Sequence, residues 1–159
     1  MGAGTIIATA IAIMLLIVTG YVLIGGTLTT ARTIAMAQRD AADQQVVKAN
    51  TRIEILNATL DAPDGQTFVE VKNAGSVTIS DFAHMDIYLL QGGAPYVYLN
   101  ASGALNWTYT ISPDAVNPTF LDPGEVANIT VKYDNAHGDP SWVKVITGSG
   151  VYTSAYIPP

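Results

Sequence analysis

The chain of 159 residues contains no cysteine, and no Asp, Glu, Lys or Arg precedes Arg32. Without cysteine there is no disulfide framework, no thiolate nucleophile and no Cys-based zinc site. Two histidines, His84 and His137, leave little material for metal chemistry. Charge is scarce throughout, at 13% of residues against 49% hydrophobic. It is also unevenly placed. Residues 1–50 carry three basic and two acidic side chains, whereas residues 51–159 carry four basic and eleven acidic, a net of −7. An acidic surface of that kind repels phosphate backbones and argues against a nucleic-acid partner. The length admits one ordinary domain.

What the uncharged stretch does contain is a helix-forming apolar run, strongest from Ile6 to Ile24. At 1.5 Å per residue, the segment from Ala3 to Gly26 spans roughly 36 Å, enough to cross hydrocarbon. No basic residue precedes the run, and the run is longer than a signal peptide needs, so residues 1–26 read as a retained anchor. Gly4, Ala8 and Ala12, with Gly20 further on, place small residues at multiples of four along it. Such ladders let a second helix approach closely where lipid supplies no hydrophobic drive.

Residues 27–50 contain no proline and are rich in Ala and Gln. Leu28, Ala31, Ala35, Ala42 and Val46 recur at helical steps, with Gln38 filling one turn, which predicts a helical stalk ending near Asn50. After Thr51 the period becomes two. Alternating pairs begin at Ile53/Ile55, Val69/Val71, Val77/Ile79, Ile87/Leu89, Val97/Leu99, Trp107/Tyr109, Ala127/Ile129 and Val143/Val145, and a last run covers Val151 to Tyr156. Turn signals such as Asp64-Gly65, Asn73-Ala74-Gly75, Gly92-Gly93, Asp122-Pro123-Gly124 and Gly148-Ser149-Gly150 punctuate them. About nine short strands over residues 51–159 predict an all-β, immunoglobulin-like sandwich without the antibody disulfide. Trp107 and Trp142 are expected to pack in its core or rim a pocket.

Catalytic chemistry is hard to find, and no catalytic, cofactor or metal residue is assigned. The cluster Asp134-Asn135-Ala136-His137-Gly138-Asp139 offers oxygen ligands, but it lacks EF-hand spacing and a closing Glu, so a turn is expected. Ser141 with His137 and Asp139 forms no hydrolase signature. Gly148 and Gly150 lie between strands and cradle no phosphate. Four N-x-[ST] sequons stand out instead, at Asn57, Asn100, Asn106 and Asn128, where chance predicts roughly one. They lean towards an external location for residues 51–159, the side that the resemblance given below also favours. Arg32, Arg39 and Lys48 on the same side of the anchor point the other way under the positive-inside rule.

An apolar Ile-Ala-Thr-Ala-Ile helix, a short stalk and a small sandwich, in that order, resemble the archaeal type IV pilin-like superfamily. Within it the chain is similar to the archaellum accessory proteins FlaF and FlaG, with the FlaF type slightly preferred. The phrases that carry this are Val71-Lys72-Asn73-Ala74-Gly75-Ser76, Leu121-Asp122-Pro123-Gly124-Glu125 and Val143-Lys144-Val145-Ile146-Thr147-Gly148. Only Met1 precedes Gly2, without the basic residue of a prepilin-peptidase site, which favours an accessory protein over a filament subunit. The resemblance implies a non-enzymatic, membrane-anchored stator whose archaellin-like sandwich lies in the pseudoperiplasm and binds the surface-layer protein. Other archaellum subunits and further copies of the chain are the remaining expected partners. The alternative is a filament subunit whose helix packs in a filament core. Loop tips such as Gln91 to Ala94 are candidate contacts.

Overall fold

A computed structural model describes residues 2–99 and 107–159. One helix, α1 (Ala3–Asn50), runs unbroken through Gly25 and Gly26 for 48 residues, about 72 Å at the standard rise. None of its residues is buried. Its threonines need no outside partner: Thr5, Thr9, Thr19, Thr27, Thr29, Thr30 and Thr33 each donate a hydroxyl hydrogen bond to a carbonyl three or four residues earlier. The helix ends where Asn50 and Thr51 turn their side chains back onto the carbonyls of Val46 and Val47. Two compact units divide the chain, Met1–Asp43 and Gln44–Pro159.

Among the described residues eight antiparallel strands follow: β1 (Ile53–Asp61), β2 (Gln66–Asn73), β3 (Asp86–Gln91), β4 (Ala94–Leu99), β5 (Trp107–Ile111), β6 (Val126–Lys132), β7 (Pro140–Ile146) and β8 (Tyr152–Tyr156). They form two sheets, ordered β1-β2-β6-β5 and β4-β3-β7-β8. The first order is A-B-E-D of an immunoglobulin sandwich; the second is C-F-G with an added strand beside C. The sandwich expected from the alternating pattern is therefore present.

Val69, Val71, Ala127, Ile129 and Val131 of the first sheet face Ile87, Leu89, Val143 and Val145 of the second, all at most 1% exposed. Trp107 joins them at 1% exposure, and the ring of its neighbour Tyr109 stacks on Phe82 at 3.9 Å. Trp142, by contrast, is only half-buried and lies on the outer side of its sheet.

Two irregularities depart from simple alternation. Val77 and Ile79 do not form a strand; Ile79 makes only an isolated bridge to Leu121. Beside it the buried Asn73 amide donates to the carbonyls of Val77 at 2.8 Å and Leu121 at 2.9 Å, the latter also accepting Ile79 N–H. A side chain at the end of β2 thus ties this segment to the first sheet. The second irregularity is a bulge in β1, where the register steps from Ile55↔Val71 to Asn57↔Glu70 and leaves Leu56 without a partner. The junction after α1 is tight: Ser76 N–H donates to Asn50, and Ala74 N–H to Arg52. A Cβ on Gly75 would lie 2.5 Å from the Asn50 carbonyl oxygen, so only glycine fits there.

Candidate functional site

The surfaces to weigh in the sandwich are the outer faces of its two sheets. Register sets the composition of each, because side chains alternate strictly across a pleated strand. The outer rows of the second sheet read Pro95–Leu90–Trp142–Tyr156, then Val97–Tyr88–Lys144–Ser154, then Asp86–Ile146–Tyr152. Tyr156 is 83% exposed, Tyr152 63% and Val97 48%. Lys144 lays its Nζ over the Tyr152 ring at 4.2 Å, a cation–π contact that holds both side chains against the sheet. An exposed aromatic and aliphatic face bearing one cation and one anion is the composition of a protein-contact surface.

The outer rows of the first sheet are different. They read Glu54–Lys72–Val126, Asn57–Glu70–Asn128–Thr110, Thr59–Phe68–Thr130–Thr108 and Asp61–Gln66–Lys132. This face is polar and rich in threonine, with Phe68 as its exposed aromatic ring. Both described sequon asparagines, Asn57 and Asn128, stand on it and are exposed. Asn100 and Asn106 lie outside the described residues.

The loop at one end is built around Gln91, expected above as a contact residue but 1% exposed. Its amide donates to the carbonyls of Asp134 and Gly138, and its oxygen accepts the Tyr98 hydroxyl. Gln91 therefore ties β3 to the turn at 134–138, and only Gly92, Gly93 and Ala94 of that tip are exposed. The oxygen-rich cluster at 134–139 spends its side chains locally. Asp134 accepts from Ala136 N–H, Asp139 accepts the Tyr133 hydroxyl, and His137 packs edge-on to Tyr96 with centroids 4.3 Å apart. Burial and the Asp139 bond push the Tyr133 hydroxyl up to about 12. Exposed His84 bonds Asp81 at 2.8 Å, which raises its pKa. Among the described residues no three His, Asp or Glu side chains converge as a metal would require.

The Leu121–Glu125 phrase has a structural purpose that spacing alone does not reveal. Asp122, 5% exposed, accepts from the Thr78 hydroxyl at 2.6 Å and from the backbone and side chain of Asn117. The Thr78 bond, followed by those from Asn117, holds its carboxyl below the ordinary carboxylate value. Glu125 accepts from Ala115 N–H and Asp122 N–H. Two buried carboxylates thus organise the long β5–β6 connection. On α1, Gly4, Ala8 and Ala12 are exposed and Gly20 half-buried. Each four-residue step drifts about 40° on a helix of 3.6 residues per turn, so Gly4 to Ala12 form the compact part of that ladder.

A long helix, uncharged from Ala3 to Ala31, joined to an immunoglobulin-like sandwich defines the class: a helix-borne β-sandwich protein. The chain belongs to the archaeal-type flagellin family, whose model matches residues 2–157. It is an archaellum-related protein, in a family of structural components. A protein of Archaeoglobus fulgidus described as uncharacterized is 27% identical over 133 residues, 81% of this chain and 80% of that one. Among solved structures, the archaellum periplasmic stator protein FlaG from Sulfolobus acidocaldarius is similar, with a TM-score of 0.49 and 20% identity, covering 66% of this chain and 97% of that chain. The stator complex of FlaF and FlaG from the same organism is similar at a TM-score of 0.49 and 20% identity, covering 66% of this chain and 87% of that chain.

Proposed function

We propose that this protein is a non-enzymatic archaellum component, anchored in the cell membrane by α1 and holding its sandwich outside. There the sandwich binds the surface layer and other archaellum subunits, keeping the stationary part of the motor in place. The observation that carries this reading is α1 itself. From Ala3 to Ala31 it bears no charge, it is unburied within its own chain, and its threonine hydroxyls bond its own backbone. Such a helix suits a dry environment, because few polar groups are left to solvate. The outer face of β3, β4, β7 and β8 supplies the contact surface, with Trp142, Tyr152 and Tyr156 as its large anchors. Fractionation of the native protein tests the reading. Retention in membranes, with full-length protein in detergent capturing purified surface-layer protein, is the expected result. Recovery in sheared filaments at stoichiometric amounts would overturn it.

A second reading is a filament subunit, with α1 packed in a filament core. Family membership favours it, since the flagellin model spans helix and sandwich together. A filament core is as dry as lipid, and the Gly4–Ala12 ladder suits close helix packing in either setting.

A further inference from the structure

We propose that the connection between β5 and β6, residues 112–121, is a preformed docking loop. Its Val116 and Phe120 seat in an apolar pocket ringed by Lys and Arg on the surface-layer protein. The inference rests on the reading that the sandwich binds that protein.

The loop has no regular structure, and residues 112–120 are all exposed. Segments of that kind are ordinarily mobile. Here alternate amides are pinned instead. Ala115 N–H donates to Glu125 Oε1 at 2.9 Å, Asn117 N–H to Asp122 Oδ2 at 3.0 Å and Thr119 N–H to Asp114 Oδ2 at 3.0 Å. The Asn117 side-chain amide adds a second bond to Asp122, and Phe120 N–H closes a turn on the Asn117 carbonyl at 3.0 Å. Hydrogen bonds to carboxylates are the strong kind. Asp122 and Glu125 are themselves 5% and 7% exposed, so these braces are rooted in the sandwich. Thr119 is held at φ 74, the left-handed region that a β-branched residue avoids. Such a conformation persists only where its surroundings over-determine it.

What the braces present to solvent is apolar. Val116 is 71% exposed and Phe120 42%, with Pro113, Ala115 and Pro118 around them. The braces use backbone amides and the Asn117 side chain, so polar residues at 116 and 120 would leave them intact and hydrate better. Fixing apolar side chains in one arrangement lowers the ordering cost of binding a partner.

Charge points to the kind of partner. Between Lys72 and Lys132 the chain carries Asp81, Asp86, Asp114, Asp122 and Glu125 and no Lys or Arg. Asp114 is exposed in the loop itself, and exposed Asp81 lies two residues beyond the Ile79 bridge to Leu121. An apolar tip in an anionic surround complements an apolar pocket with a basic rim. Anionic lipid headgroups and nucleic acids are repelled by the same surround.

Capture of purified surface-layer protein by the full-length chain in detergent is the test. Val116→Ser should weaken capture at least about fivefold at an unchanged melting temperature, as for an interface anchor at an exposed position. Thr119→Pro leaves both apolar side chains in place but removes the amide bonded to Asp114 and the left-handed backbone, so it should weaken capture as well. Wild-type capture should also decline as salt is raised, because the rim charges are screened. Wild-type capture that neither substitution weakens would overturn the docking loop and leave the surface-layer reading standing. Weakening by Thr119→Pro alone would overturn the apolar contact, and weakening by Val116→Ser alone the preformed conformation. Capture indifferent to salt would overturn the basic rim. No capture by the wild type would overturn the reading and the proposal together.

Discussion

Asn73 shows how much of this fold depends on single polar side chains. It is fully buried, donates to two carbonyls and accepts from Gly75 N–H at 3.0 Å. Asn73→Ala would remove the bond to half-buried Val77 and one of the two that the Leu121 carbonyl accepts, the other coming from Ile79 N–H. The expected loss is about 1–3 kcal/mol, read from the urea midpoint at unchanged slope. From sequence, Asn73-Ala74-Gly75 was legible as a turn; the bond to Leu121, 48 positions away, was not. Tyr133 carries a second prediction. Its raised pKa means that the folded state favours the neutral phenol, a contribution present below the ordinary value of 10.0 and lost as pH rises towards about 12. Melting temperatures should therefore fall across that interval, and Tyr133→Phe should make the fall shallower.

At the scale of elements, local pattern and tertiary demand agree in most places and disagree informatively in two. α1 is continuous because nothing in Ala3–Asn50 breaks it: no proline occurs, and Gly25-Gly26 is outweighed by the apolar and Ala-rich turns around it. The strands follow the two-residue period because one face of each must be buried. Val77/Ile79 has the same period yet makes only the single bridge to Leu121, while the Val77 carbonyl accepts the Asn73 amide. The β1 bulge is the other exception, and it gives a direct test. Deleting Leu56 removes the extra residue while keeping Asn57 opposite Glu70 and Ala58 opposite Val69, so both keep their present faces. Leu56 is 53% exposed, so denaturant unfolding should show a change within about 1 kcal/mol. A much larger loss would mean that the bulge itself is needed to hold the pairing of β1 with β2.

The whole molecule is two-faced, and its two sheets differ in what they expose. Truncating aromatics on the second sheet should separate binding from stability. Tyr152→Ser with Tyr156→Ser removes side chains that are 63% and 83% exposed, so stability should change by no more than about 0.5 kcal/mol per site. Capture of the surface-layer protein by detergent-solubilised full-length chain should weaken at least about fivefold, as expected when interface anchors worth over 1 kcal/mol are lost. Thr59→Ser and Thr110→Ser on the opposite face are the controls and should leave capture unchanged. Equal loss from both faces would deny the second sheet its special place.

Sequence by itself determined where the helix gives way to strands, since 3.6- and two-residue periods are local properties of neighbouring side chains. It likewise determined the uncharged character of Ala3–Ala31 and the acidity of residues 51–159, which are matters of composition. Only the tertiary structure decided that Gln91 is a buried tie, that Asn57 faces outward and shares a row with Asn128, and that Trp142, Tyr152 and Tyr156 share the outer face of one sheet. Those outcomes depend on pairing β2 with β6 and β3 with β7 across some fifty residues. A choice among such partners is made by the packing of the whole core, which no local window of sequence contains.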